Sequence, residues 1–138
     1  MAAHSYRLMR YRLVESIVPL SFTAEQLVAY SHAQGGDVNF TVNDFVDWAY
    51  GSLPGMVEEG LVPPDLESEI HILFDQSIAA LRSAPTVPCE TAALYPEWAA
   101  VRTTATSVLE RFRELGVPMP PPGTQLLGHV STVPGSER

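Results

Sequence analysis

The chain contains no lysine; its eight basic residues are all arginines. A GC-rich genome produces such a bias, and no function follows from it. There is one cysteine, Cys89, so no internal disulfide can close and nothing calls for an oxidising compartment. No run of about 18 apolar residues is present, as a membrane-spanning helix requires. Met1 to Ser5 lead into an arginine-rich segment containing Glu15, not into the apolar core of a signal peptide. The expectation is a cytoplasmic protein. Charged residues are 17%, below the usual ~25%, while hydrophobic residues are 46%. That balance is globular, and 138 residues is the size of one domain that folds without a staple.

Charge of one sign is missing over a long stretch. Arg7, Arg10 and Arg12 precede every acid, and the next basic residue is Arg82. The 69 residues from Leu13 to Leu81 hold eleven acids: Glu15, Glu25, Asp37, Asp44, Asp47, Glu58, Glu59, Asp65, Glu67, Glu69 and Asp75. With a net charge of −8, this segment sets up a negative field. Such a surface repels phosphate backbones, so direct nucleic-acid binding is not expected, and it attracts a basic protein. A solvated surface that confers only solubility has the same composition.

The periodicity is helical. Tyr6, Met9, Leu13 and Ile17 form a stripe ended by Pro19, although Met9, Tyr11 and Leu13 also alternate with arginines as a strand would. Thr23 and Gln26 form a capping-box pattern, with Phe22 and Leu27 at staple positions, and Gly35-Gly36 is the expected stop. Thr41 is the expected cap of a third helix, with Asp44 in its first turn and Phe40 and Phe45 at staple positions. Gly51, Pro54 and Gly55 are expected to break it, leaving a short turn from Met56 to Glu59. Pro63-Pro64-Asp65 opens the clearest helix, in which Asp65 can cap. Its stripe is Leu66, Ile70, Leu73, Phe74, Ser77, Ile78 and Leu81, and it closes at Arg82. After a loop over 85–95, Pro96 starts a last helix with Trp98, Val101, Ala105, Val108, Leu109, Phe112 and Leu115 on one face and Gly116 as its stop. The expected fold is all-α: a four- to five-helix antiparallel bundle over 1–116, with a Pro/Gly-rich flexible C-terminal tail over 117–138.

Chemistry-bearing patterns are few. His4, His32, His71 and His129 do not pair with each other or with Cys89 at metal-ligand spacing. Phosphate loops, nucleophile elbows and dinucleotide fingerprints are absent. Asp44 and Asp47 share a helix face at i, i+3, which makes a surface patch; Glu67 and Glu69 point to different sides. No catalytic residue, metal site or cofactor is expected. Trp48, Tyr50, Tyr95 and Trp98 carry a different message. Acid plus aromatic on one face suits an arginine- or lysine-rich partner, because cations pair with both. The bland reading makes Trp48 and Trp98 core.

Three stretches are similar to a known family. Phe22-Thr23-Ala24-Glu25-Gln26-Leu27 resembles its Thr-Ala-Glu-Glu-Phe helix start. Asp65 to Leu81, through Leu73-Phe74-Asp75, resembles its central leucine-phenylalanine helix. Leu109-Glu110-Arg111-Phe112 resembles the Leu-Glu-basic end of its last helix. On these residues the chain, over roughly 10–113, resembles the colicin D immunity protein-like group of bacterial immunity proteins. It differs in having Ile78-Ala79-Ala80-Leu81 where the family often has Asp-x-Tyr, and in a longer insert over 36–64. The resemblance implies occlusion of a basic, tRNA-cleaving toxin, with carboxylates standing in for RNA phosphates. The stretch without basic residues makes Asp44, Asp47, Glu58, Glu59, Glu67, Glu69 and Asp75 the candidate partner-binding residues for that role, with Trp48 as an anchor. Three readings compete with it: an adaptor or secretion chaperone for another basic protein, a homo-oligomeric structural protein, and an enzyme built around His71, Asp75 and Cys89.

Overall fold

The structure, a computed structural model, describes residues 2–33, 38–83 and 94–120. Among these are five α-helices: α1 (Ala2–Ile17), α2 (Ala24–Ala33), α3 (Val38–Glu58), α4 (Pro64–Ser83) and α5 (Pro96–Glu114). A 3-10 turn, Val18–Ser21, joins the first two. The fold is an all-α bundle, as the periodicity predicts.

The strand alternative for the first segment loses to its longer stripe. Leu13, Val14 and Ile17 are fully buried in the core, with Tyr6 and Met9 packed against it. Pro19 disfavours helical geometry at Val18 and has no N–H to continue the ladder, so α1 ends at Ile17. The capping box on α2 forms. The Gln26 N–H donates to Thr23 Oγ1 (3.2 Å), and the Thr23 N–H donates to Gln26 Oε1 (3.0 Å). Phe22 meets Tyr30 edge-on, with centroids 5.9 Å apart. The Gly35-Gly36 stop lies outside the described residues.

Two expectations about α3 are corrected. The helix starts at Val38, so Thr41 is not its cap; it lies inside the helix, 1% exposed. The apolar stripe decides this, since Val38 and Val42 both enter the core with Phe45 and Ala49. The helix also does not break at Gly51–Gly55 but runs to Glu58 with Pro54 inside it. An interior proline costs about 3 kcal/mol and a helical glycine about 1. Continuing the helix buries Leu53 and Met56, worth about 1.5–3 kcal/mol each, so tertiary burial offsets the local breakers. Gly55 has a second role: a Cβ there would collide with the Tyr6 ring, so the glycine lets α1 approach closely. The true stop is Gly60 at φ +75, where the Gly60 N–H donates to Val57 O (3.0 Å) and the Leu61 N–H to Met56 O (2.9 Å).

In α4, Pro64 occupies the first helical position, and Asp65 sits one residue inside the helix, not at the cap. Leu66, Ile70, Leu73, Ser77 and Ala80 are buried, with Phe74, Ile78 and Leu81 packed beside them. α5 begins with Pro96 and buries the expected face, except that Leu115 is exposed. Gly116 turns left-handed (φ +82), and Val117 returns to the core in its place, its N–H donating to Phe112 O (3.1 Å). Met119 packs on the same core. The expected tail lies outside the described residues from Pro121 on.

Pairwise contacts fix the topology. Tyr6 meets Gly55, Phe45 meets Phe74 at 6.4 Å, and Arg111 reaches Asp65. Each of these pairs joins early positions on one helix to late or middle positions on the next. Thus α1/α3, α3/α4 and α4/α5 run antiparallel. The 3-10 turn packs on α5 and closes the ring. Arg102 Nε donates to Phe22 O (2.6 Å), and an Arg10 guanidinium nitrogen to Leu61 O (3.0 Å), tying both ends to the frame. Burial, then the neighbouring Arg7, lowers the Arg10 pKa below its ordinary value. Among the described residues no helix is long and apolar enough to cross a membrane.

Candidate functional site

Where α3 and α4 lie side by side they leave an apolar cleft of about 360 Å³. Its floor and walls are Ala49, Leu53, Pro54, Ile70 and Phe74; Tyr50, His71 and Asp75 stand at its rim. Helical spacing makes this possible. Tyr50 and Pro54 are one turn apart on α3, and His71 and Asp75 one turn apart on α4. Tyr50 is 82% exposed, an unusual state for a large aromatic ring, and Ile72 beside His71 is 52% exposed. The helix that sequence punctuation would have broken thus supplies one continuous wall.

The acids expected to bind a partner fall into separate settings. Asp47, Glu58, Glu59 and Asp75 are exposed and make no ion pair among the described residues. Asp47 lies one turn before Tyr50, and Glu58 one turn after Pro54, on the cleft side of α3. Asp75 lines the cleft itself. Glu67 is half-buried with a carboxylate oxygen 3.8 Å from His71 Nε2, one turn along α4. Glu59 lies just beyond α3, beside the left-handed Gly60.

Two acids are drawn elsewhere. Glu69 turns to α5, where Arg111 approaches to 3.5 Å and the Ser107 hydroxyl to 3.4 Å. Asp65, on the same side, takes a 2.9 Å bond from Arg111. That bond, with the Arg111 charge and the backbone N–H groups of Asp65 and Leu66, holds the Asp65 carboxyl below its ordinary value, though desolvation opposes it. Asp44, one turn before the exposed Asp47 on α3, is half-buried. Its charge, after burial and ahead of Glu15, helps push the Tyr30 hydroxyl up to about 12. Trp48 is half-buried against the core, as is fitting for a structural ring; Trp98 is buried outright.

The exposed aromatic of α3 is therefore Tyr50, which stood among the aromatics of the sequence but not among the expected partner-binding residues; His71 entered only through the enzyme reading. The available signal was position: Tyr50 falls off the Val42–Phe45–Ala49 stripe, one turn from Asp47. The described residues contain no group of three or more histidines, cysteines or acids able to hold a metal. His71 and Asp75 do share the cleft rim, while Cys89, the third member of the enzyme reading, lies outside the described residues. Comparison with protein-family models, curated proteins and solved structures finds no match.

Charge is divided by face. α3 carries no arginine, and α4 carries only Arg82 in its last turn; Arg102, Arg111 and Arg113 are on α5, and Arg7, Arg10 and Arg12 on α1. Around the apolar depression the α3–α4 side thus presents Asp47, Glu58 and Asp75 with no ion-pair partner among the described residues.

Proposed function

We propose that this chain is a binding protein, not an enzyme, and that it acts as an immunity protein. Its α3–α4 side covers the basic active-site surface of an RNA-cleaving toxin in the cytoplasm. The observation that carries the reading is the set of exposed carboxylates Asp47, Glu58 and Asp75, without an ion-pair partner among the described residues, on two helices that hold no arginine before Arg82. Carboxylates so placed accelerate encounter with a basic protein and add affinity where they become desolvated against its cations. The same field disfavours direct contact with nucleic acid. The resemblance of the stretches Phe22–Leu27, Asp65–Leu81 and Leu109–Phe112 to the colicin D immunity protein-like group points the same way. Glu69 and Asp65 are left out of the contact set because Arg111 already engages them.

The test is capture from the native host with the full chain at low and high salt, followed by an RNA-cleavage assay on whatever binds stoichiometrically. A basic protein that cleaves RNA alone and stops when this chain is restored supports the reading. A partner whose activity is indifferent to this chain turns it toward an adaptor or chaperone. The absence of any stoichiometric partner overturns it.

A further inference from the structure

Resting on that reading, we infer that the α3–α4 cleft is the seat for an apolar side chain carried on a basic helical segment of the partner. Cations on that segment meet Asp47, Glu58, Glu67 and Asp75. Three observations combine. The cleft is apolar: Ala49, Leu53 and Ile70 already lie buried beneath it, and half-buried Phe74 and exposed Pro54 are the groups that gain by excluding water. Its rim holds Tyr50, an exposed ring of the kind that serves as an interface anchor. Carboxylates extend beyond the cleft along both helices; Asp47 and Glu58 are eleven residues apart, about 16 Å along the axis.

The charge pattern selects the occupant. One small ligand cannot reach carboxylates spread over some three helical turns, whereas a helix lying along the groove presents side chains at every turn. A second copy of this chain would bring the same acidic face against itself, and an isologous contact then sets like charges together. An acidic or neutral peptide leaves the rim unpaired. A basic amphipathic helix satisfies both parts at once, its apolar stripe in the groove and its cations on the rim.

The experiment uses the full chain and synthetic helical peptides: leucine/lysine, serine/lysine of identical charge, and leucine/glutamate. Binding is read by fluorescence anisotropy, and the location by amide chemical shifts. The leucine/lysine peptide is expected to bind with shifts at Ala49, Tyr50, Ile70 and Phe74. Tyr50→Ala or Asp75→Asn, both at exposed positions that leave the core intact, should each weaken it roughly tenfold. The serine/lysine peptide should bind only at low salt, without cleft shifts. Equal binding of the two lysine peptides, or shifts confined to α2 and α5, overturns the proposal. So does a self-associated dimer dispersed by Tyr50→Ala in sedimentation. The toxin assay separates the two readings. If Tyr50→Ala neutralises a captured nuclease at the same concentration as the unaltered chain, the cleft proposal falls and the function stands. If the peptide seats in the cleft but no nuclease is captured, the reverse holds.

Discussion

Gly55 offers a sharp check on how α1 and α3 meet. A Cβ at this position would sit well inside van der Waals contact of the Tyr6 ring carbon and hydroxyl. Alanine is otherwise preferred in a helix interior by about 1 kcal/mol. Overpacking a filled contact costs about 1–3 kcal/mol. The second effect outweighs the first, so Gly55→Ala should destabilise the native chain by up to about 2 kcal/mol. In a Tyr6→Ala background the obstruction is gone, and the same substitution should stabilise by about 1 kcal/mol. The predicted signature is therefore a change of sign, with a coupling of about 1–3 kcal/mol. For a domain of this size, 1 kcal/mol corresponds to roughly 3–4 °C in Tm, readily resolved by thermal melts of the four proteins. Stabilisation of equal size in both backgrounds would show that the ring does not pack over Gly55, and the close approach of α1 to α3 would have to be abandoned.

Three further outcomes follow from individual side chains. Thr41 Oγ1 is buried with no hydrogen-bond partner among the described residues. Thr41→Val keeps the shape and removes the unsatisfied hydroxyl, so urea denaturation should show a gain of about 1–2 kcal/mol; a loss would reveal a polar partner such as a buried water. Asp65 is held below its ordinary pKa of 3.8, chiefly by Arg111. A carboxyl depressed in the folded state contributes stability above its unfolded pKa and loses it as pH falls through the folded one. Asp65→Asn should thus flatten the acid limb of the stability profile below about pH 4, and an unchanged limb would remove the α4–α5 pair from the account. Tyr30 is raised to about 12, by burial first and then by Asp44 and Glu15. A raised tyrosine contributes fully below its unfolded pKa, near 10, and its contribution is lost as pH rises through 12. Tyr30→Phe should reduce the fall in stability across that window, and should remove the phenolate absorbance that rises near pH 12.

Most of the bundle was legible because its signals are local and repetitive. The Thr23/Gln26 reciprocal bonds, the Pro64 and Pro96 starts, the Gly116 stop and the stripes of α4 and α5 each need only a few consecutive residues. The failures occurred where long-range packing overruled a local preference. Thr41 has the chemistry of a cap, but Val38, one turn earlier, is worth more buried than frayed. Leu115 extends the α5 face on paper, yet the left-handed Gly116 turns the chain and gives the place to Val117. The acids illustrate the same limit. Spacing put Glu67 and Glu69 on different sides of α4, but only the α4–α5 register showed that Glu69 faces an arginine 42 residues away.

The expected break in α3 and the absence of Tyr50 from the expected contact residues are linked by one cause. A helix ending near Gly51 would leave Leu53 and Pro54 in a loop, and no wall would stand opposite Ile70 and His71. Because α3 continues through Pro54, the proline ring becomes part of that wall, and Tyr50 is held on a helix at the cleft rim. Pro54 has no N–H to offer the Tyr50 carbonyl, so that carbonyl is released from the ladder on the exposed side of α3. Ser52 adds to the local departure from a plain helix by donating its hydroxyl to the Trp48 carbonyl one turn back. The residues that weaken α3 locally thus lie along the cleft. Pro54→Ala should therefore strengthen α3, by up to about 3 kcal/mol if the helix is otherwise unchanged, while removing one wall of the cleft. A variant that melts higher yet binds the leucine/lysine peptide less tightly would show that the proline serves the site at a cost to the helix. A variant that gains stability with peptide binding intact would show that Pro54 is incidental to the cleft, and that Tyr50 and Phe74 suffice to form it.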